Sequence, residues 1–199
     1  MSAVPTVYMN DPALMAGYDR TWLELAAAVA SRRHPFHVCT IATVDANSFP
    51  QARTMVLRGA DREARFLQFN SDVRSPKIAE MREKPAACAV FYGEAEKIQV
   101  RAWGIISLHC NDPVSAMVWQ TMQPISRENY RSPFAPGSGR AAEGTESVLL
   151  SPADAYENLV VCRLRLSALE WLSLSRGGHD RVRLEFAEDG SGSARWINP

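Results

Sequence analysis

Residues 40–58, TIATVDANSFPQARTMVLR, read as two strands joined by a tight turn, with an arginine inside the second strand. Ile41, Thr43 and Asp45 fall on one face of the first strand, Ala42 and Val44 on the other. Asp45-Ala46-Asn47-Ser48 supplies turn residues, and Pro50 restarts an extended segment. From Arg53 to Arg58 the chain is mostly apolar but begins and ends with a cation. A guanidinium on a rigid strand is costly to hold near a core. Two readings of Arg53 stand: a fixed grip on an anion, or an edge-strand arginine whose stem packs while its head reaches water.

The following segments favour the anion. Arg65 to Asn70 is another short strand, and Ser71 to Arg74 a polar loop. Ser75 has the features of a helix N-cap, with Pro76 at the first helical position and Lys77 in the first turn. Ile78, Met81 and Ala79 form the apolar stripe, and Lys84-Pro85 ends the helix. A helix N-terminus offers free backbone N–H groups and partial positive charge. Arg74, the Ser75 hydroxyl and Lys77 add to it, and with Arg53 and Arg58 they suffice for a phosphate dianion. The plainer alternative is a capped surface helix with scattered cations.

The ordered set resembles the pyridoxamine 5′-phosphate oxidase family of FMN-binding split barrels. The pieces are Ala42-Thr43-Val44-Asp45, Arg53 to Arg58, Ser75-Pro76-Lys77, Pro85 and Gln99-Val100. Further on come Leu169-Glu170-Trp171, His179-Asp180-Arg181 and Trp196. The resemblance spans roughly Phe36 to Pro199. It implies a mainly β (α+β) chain, an antiparallel split β-barrel that binds FMN, with flanking helices. One domain over residues 1–199 is expected, with a helix over about 11–33 and the barrel over about 36–199.

The resemblance also implies roles. Arg53 and Lys77 would hold the FMN phosphate, with Ser75 beside them. The family's usual arginine before that lysine is Pro76 here, which makes Arg74 the candidate replacement. Backbone at Met55 and Val56 would pass the flavin ring. Arg58 replaces the usual lysine, and Gln68-Phe69 a tyrosine–threonine pair. Gln99, Trp171 and Arg181 match in type and would sit against the flavin, partly from the other subunit of a homodimer. An arginine near the pyrimidine edge would stabilise the charge of reduced flavin.

The departures fall in the family's substrate-phosphate site. Its tyrosine, arginine and serine align with Trp119, Gln123 and Arg127, and an arginine ahead of the triplet with Gly177. The cofactor site thus reads as kept and the vitamin site as remodelled. His179 is the candidate catalytic acid/base or substrate contact.

At 199 residues the chain is long enough to bury a core, and its 22 basic and 22 acidic residues cancel. Neither nucleic-acid nor membrane binding gains electrostatic support. No run has membrane-span length, and the first residues lack a signal-peptide pattern. Cys39, Cys88, Cys110 and Cys162 show no C-x-x-C spacing and read as reduced core residues, which makes the cytoplasm the expected compartment. The remaining pattern gives a helix ending at Arg32-Arg33-His34-Pro35, a buried strand over 86–92, a long strand bent near Gly104, and a helix over 113–121. A loop follows over 123–144, then strands at 159–166, 169–174 and 181–186.

His34-x-x-His37-x-Cys39 has metal-like residue types but reads as a helix end entering a strand. The segment around Ser138 is no nucleophile elbow, since no strand precedes it. Two classes of function remain: an FMN-dependent oxidoreductase acting on a small molecule, pyridoxamine 5′-phosphate included, or a flavin-binding protein without efficient turnover. Heme- and deazaflavin-using relatives share the fold, and Arg53, Lys77 and Arg181 favour FMN.

Overall fold

The computed structural model describes residues 7–8, 11–139, 148–175, 178–189 and 191–199. Nine strands form one sheet: β1 (Val7–Tyr8), β2 (Val38–Val44), β3 (Pro50–Asp61), β4 (Phe66–Asp72), β5 (Ala86–Gly93), β6 (Ile98–His109), β7 (Leu159–Ser175), β8 (Gly178–Phe186) and β9 (Gly192–Ile197). The order β7-β4-β3-β2-β5-β6 closes through a β6–β7 pairing into a six-stranded antiparallel barrel. β8, β9 and β1 extend the sheet beyond β7. The split barrel expected from the sequence is therefore present.

The turn at residues 45–49 joins β2 to β3 with Ile41 opposite Arg53. Alternation puts Met55 and Leu57 of β3, and Leu67 and Phe69 of β4, in the core, all at most 7% exposed. Thr54, Val56, Arg58, Gln68 and Asn70 consequently occupy the other face. Two strands expected at 159–166 and 169–174 are one 17-residue strand. Its first half pairs with β4, its second with β8, and β6 runs along both. The register slips between Trp103 and Gly104, where a Cβ on Gly104 would lie 1.9 Å from the Arg165 carbonyl oxygen. Only glycine permits that approach.

Helices close the ends and one side. α1 (Pro12–Ala30) starts under an Asp11 cap and buries Leu14, Tyr18, Trp22 and Leu25, stopping short of the expected Arg33. There the chain turns into a 3-10 turn, Pro35–His37, capped by His34. α2 (Pro76–Glu83) buries Ile78 and Met81. α3 (Pro113–Thr121) begins with a capping box between Asp112 and Ser115. The expected loop after it contains α4 (Pro124–Arg127) and a 3-10 turn, Glu128–Tyr130. α5 (Pro152–Glu157) leads into β7.

Candidate functional site

A cavity of about 590 Å³ lies on the outer face of β3 and β4, within the range of ligand pockets, about 300–1,000 Å³. Its floor is Thr54, Met55, Val56 and Arg58 of β3 with Gln68 and Asn70 of β4. Ser71 and Lys77 close one side. The end of α1, Arg32 and His37 close another, and residues from Val118 to Tyr130 form the far wall. Among the described residues lining it are three cations, Arg32, Arg58 and Lys77, and no carboxylate.

At the α2 end, Lys77 Nζ donates to Ser75 Oγ at 2.7 Å and to Ser71 Oγ at 3.2 Å. The Ser75 hydroxyl therefore faces the lysine and makes no cap bond, although Ser75 holds the N-cap position. Burial, and next the charge of Arg53, pull the Lys77 ammonium below the ordinary lysine range. Arg53 lies close by but does not line the cavity. Its guanidinium donates to Glu80 Oε2 at 2.6 Å and to Thr43 Oγ1, and the Thr43 hydroxyl donates to Glu80 at 2.5 Å. An ion pair behind the cavity wall thus anchors the arginine singled out from the sequence.

Several candidate residues lie elsewhere. Arg74 is bound to Asp72 at 2.6 and 2.9 Å and to the Ser132 carbonyl at 3.0 Å, so its charge is spent on the loop and does not replace the guanidinium missing at Pro76. Phe69 alternates inward with the core, whereas Gln68 reaches the cavity and accepts from Arg163 at 3.1 Å. Trp119 packs on Tyr130 and Tyr156, and Arg127 lies over its ring while donating to the Met122 and Gln120 carbonyls. Of that trio only Gln123 lines the cavity. His179 is exposed at the start of β8 and is not a lining residue; Gly177 lies outside the described residues.

Gln99 and Arg181 share a sheet face away from this chain's own cavity, and Trp171 lies on the opposite face. Gln99, Leu172 and Arg181 form one row across β6, β7 and β8, with Trp171 one position along. Arg181 donates to Glu170 at 2.9 Å, and Arg101 donates to the same carboxylate at 2.6 Å. Sequence reasoning missed Asn70, His37, Arg32 and Tyr130 as cavity residues. Alternation from Gln68 along β4 was a usable signal for Asn70; the others depend on where α1 and the far wall pack.

The profile of the family described as "Pyridoxamine 5′-phosphate oxidase, FMN-binding domain" matches residues 19–110. Residues 19–110 are thus similar to the FMN-binding domain of the pyridoxamine 5′-phosphate oxidase family, and the chain has the fold of its FMN-binding split barrels. It is 31% identical over 100 residues to a pyridoxine/pyridoxamine 5′-phosphate oxidase of Hyphomonas neptunium, covering 50% of this chain and 42% of that protein. A second such oxidase, of Ralstonia nicotianae, is 31% identical over 102 residues, 51% of this chain and 45% of that one. The matched stretch thus spans less than half the length of these curated relatives. A pyridoxamine 5′-phosphate oxidase-related FMN-binding protein of Nostoc punctiforme superposes with TM-score 0.77 at 23% identity, over 96% of this chain and all of that one. PhzG of Burkholderia lata, solved with tetrahydrophenazine-1-carboxylic acid, gives 0.71 at 16%, over 99% and 100%. Both likenesses concern the fold.

FMN is the cofactor of this family and of this chain. The cavity fits it. It has the volume, one cationic end with two serine hydroxyls, and apolar strand backbone along the floor. Asn70 Oδ1 is buried there without a hydrogen-bond partner among the described residues, an acceptor awaiting a donor. Among the described residues no helix is long and apolar enough to cross a membrane, and there is no cluster of metal-binding side chains.

Proposed function

We infer that the protein is an FMN-dependent oxidoreductase acting on a small molecule, and that it works as a homodimer with the cofactor between subunits. The observation that carries this is the cavity lined by cations and no described carboxylate, over the strand face that bears Thr54, Val56 and Arg58. In this reading Lys77, Ser71 and Ser75 bind the FMN phosphate, and Arg53, fixed by Glu80, adds its field from behind. Gln68, Asn70 and Arg58 line the flavin. FMN supplies hydride acceptance and return. The chain's own residues orient it, and the walls from Val118 to Tyr130 exclude water. Gln99 and Arg181 lie in one row away from the cavity of their own chain, which suits a role in the partner's site.

The absorption spectrum of the purified protein tests the cofactor part: a flavin band released on denaturation is expected, and a heme Soret band in its place would overturn it. Sedimentation tests the assembly, with a dimer expected at micromolar concentration and a higher melting temperature when FMN is added. A monomer that holds FMN tightly would contradict it. Anaerobic mixing with pyridoxamine 5′-phosphate tests the substrate. Trp119 and Arg127 are occupied in packing and capping, so weak or no bleaching of the flavin is expected, while dithionite reduces it. Rapid bleaching at micromolar substrate would make the vitamer the substrate after all.

A further inference from the structure

We propose that the protein carries a second site, separate from the flavin cavity, in which Ser107, His109 and Asp112 cleave small carboxylic esters through an acyl-serine. Ser107 and His109 stand two residues apart on β6 and so share one face of it. Asp112 follows as the N-cap of α3. His109 Nδ1 lies 2.8 Å from Asp112 Oδ2, and His109 Nε2 lies 3.1 Å from Ser107 Oγ. An ionised carboxylate only accepts, so the neutral ring carries its proton on Nδ1 and turns the Nε2 lone pair toward the hydroxyl. The single hydroxyl proton goes to that nitrogen, because its other acceptor, the Arg163 carbonyl, is 3.5 Å away. Hydroxyl, base and base-orienting carboxylate thus follow one another in the order that makes a serine nucleophilic.

The carboxylate is held independently of the histidine. Asp112 Oδ1 accepts from the Ser115 N–H at 2.8 Å, and the Ser115 hydroxyl accepts from the Asp112 N–H at 3.0 Å. Burial opposes the Asp112 charge, but the Ser115 N–H and the His109 ring outweigh it and keep the carboxyl below its ordinary range. The capping box needs neither His109 nor Ser107. Ser107 is exposed and the imidazole partly so, which lets an ester reach the hydroxyl from solvent. None of the three residues lines the flavin cavity. β5 ends at Ala86 opposite Ile105, and the Pro85 carbonyl takes the Ile106 N–H at 2.8 Å. Alternation turns the Leu108 N–H to the same edge, past the end of that strand. A backbone donor one residue after the nucleophile is where acyl-transfer sites place a contact for the oxyanion. In the first half-reaction Ser107 Oγ bonds to the ester carbonyl carbon, its proton passes to His109 Nε2, and the alcohol leaves with that proton. Water then attacks the acyl carbon and gives its proton to Nε2, and the acid departs as Ser107 Oγ regains a proton.

Diisopropyl fluorophosphate, whose serine adduct is stable, tests the site on the FMN-loaded full chain. It should label the chain once, at Ser107 by peptide mass mapping, and stop the hydrolysis of p-nitrophenyl acetate. Ser107→Ala should lose both. Asp112→Asn is the more telling variant. Asparagine keeps the cap, because its Oδ1 still accepts from the Ser115 N–H. Its amide N–H then faces His109 Nδ1, which moves the ring proton to Nε2 and leaves the hydroxyl without an acceptor. Labelling and hydrolysis should fall at least about a hundredfold, with melting temperature and FMN uptake as in the wild type. No adduct, an adduct on another residue in place of Ser107, labelling that survives Asp112→Asn, or hydrolysis that survives Ser107→Ala each overturns the proposal. The flavin reading stands or falls separately, since FMN uptake is measured on the same samples.

Discussion

Cations gather in two places in this molecule, and the two are built in opposite ways. Around Glu170, which is 2% exposed, Arg101 and Arg181 close to 2.6 and 2.9 Å and Arg183 to 3.8 Å. Arg101 and Arg183 also stack on Trp103. The protein supplies that anion itself. Around the cavity, Arg32, Arg58 and Lys77 face a chamber lined by no described carboxylate. A cluster of arginines is thus a ligand site only where its counter-charge is missing. Arg53 stands between the two cases, since Glu80 holds it while its charge reaches Lys77.

The comparison breaks first, and hardest, at Glu170. Glu170→Ala leaves three arginines around a buried void without their carboxylate, and should cost about 3–5 kcal/mol of folding stability. Arg58→Ala, which removes a cation from the cavity side, should cost under about 1 kcal/mol of stability, because Arg58 has no described ion-pair partner. Urea unfolding of both variants measures the contrast. Similar losses would mean that the two clusters are the same kind of object.

A smaller effect is expected at the boundary residue. Arg53→Ala should leave a folded protein with FMN affinity lower by about 2 kcal/mol, roughly thirtyfold. Part of that loss comes from Glu80, which then faces Lys77 with its charge unpaired. Arg53→Ala combined with Glu80→Gln should therefore recover some of the affinity. FMN titrations that show no change in the single variant would remove Arg53 from the phosphate end.

How far the site was legible in the sequence follows from the same distinction. The turn at 45–49, the alternation of β3 and the proline-led start of α2 are local, and short-range chemistry writes them plainly. Gln68 and Phe69 were paired as contacts, yet alternation sends one to the cavity and the other to the core. Arg74 read as a phosphate ligand because its residue type was right; its partner Asp72 is local, two residues back, and only the tertiary fold adds the Ser132 carbonyl. His37 read as a strand entry next to a helix end, which it is. That the same residue lines the cavity depends on the packing of α1 across β3, which no spacing encodes.

The finest test of the comparison is a change in pH. Burial and the Arg53 charge disfavour the Lys77 ammonium, so its pKa in the free protein lies below the ordinary 10.5. Between that lowered value and 10.5 the unfolded chain holds a proton there that the folded chain has lost. Unfolding then takes up a proton, and stability of the FMN-free protein gains a favourable contribution from Lys77 as pH rises through the window. Binding behaves oppositely. The phosphate favours the ammonium, so FMN affinity falls as pH climbs through the same lowered value, with proton uptake on binding. Lys77→Arg separates this from other alkaline effects, because a guanidinium stays charged throughout. The wild-type protein should lose FMN affinity before pH 10.5 while the arginine variant loses less. Parallel pH profiles would mean that the cationic end is neutralised by protein groups, as Glu170 neutralises its arginines, and that the phosphate binds elsewhere.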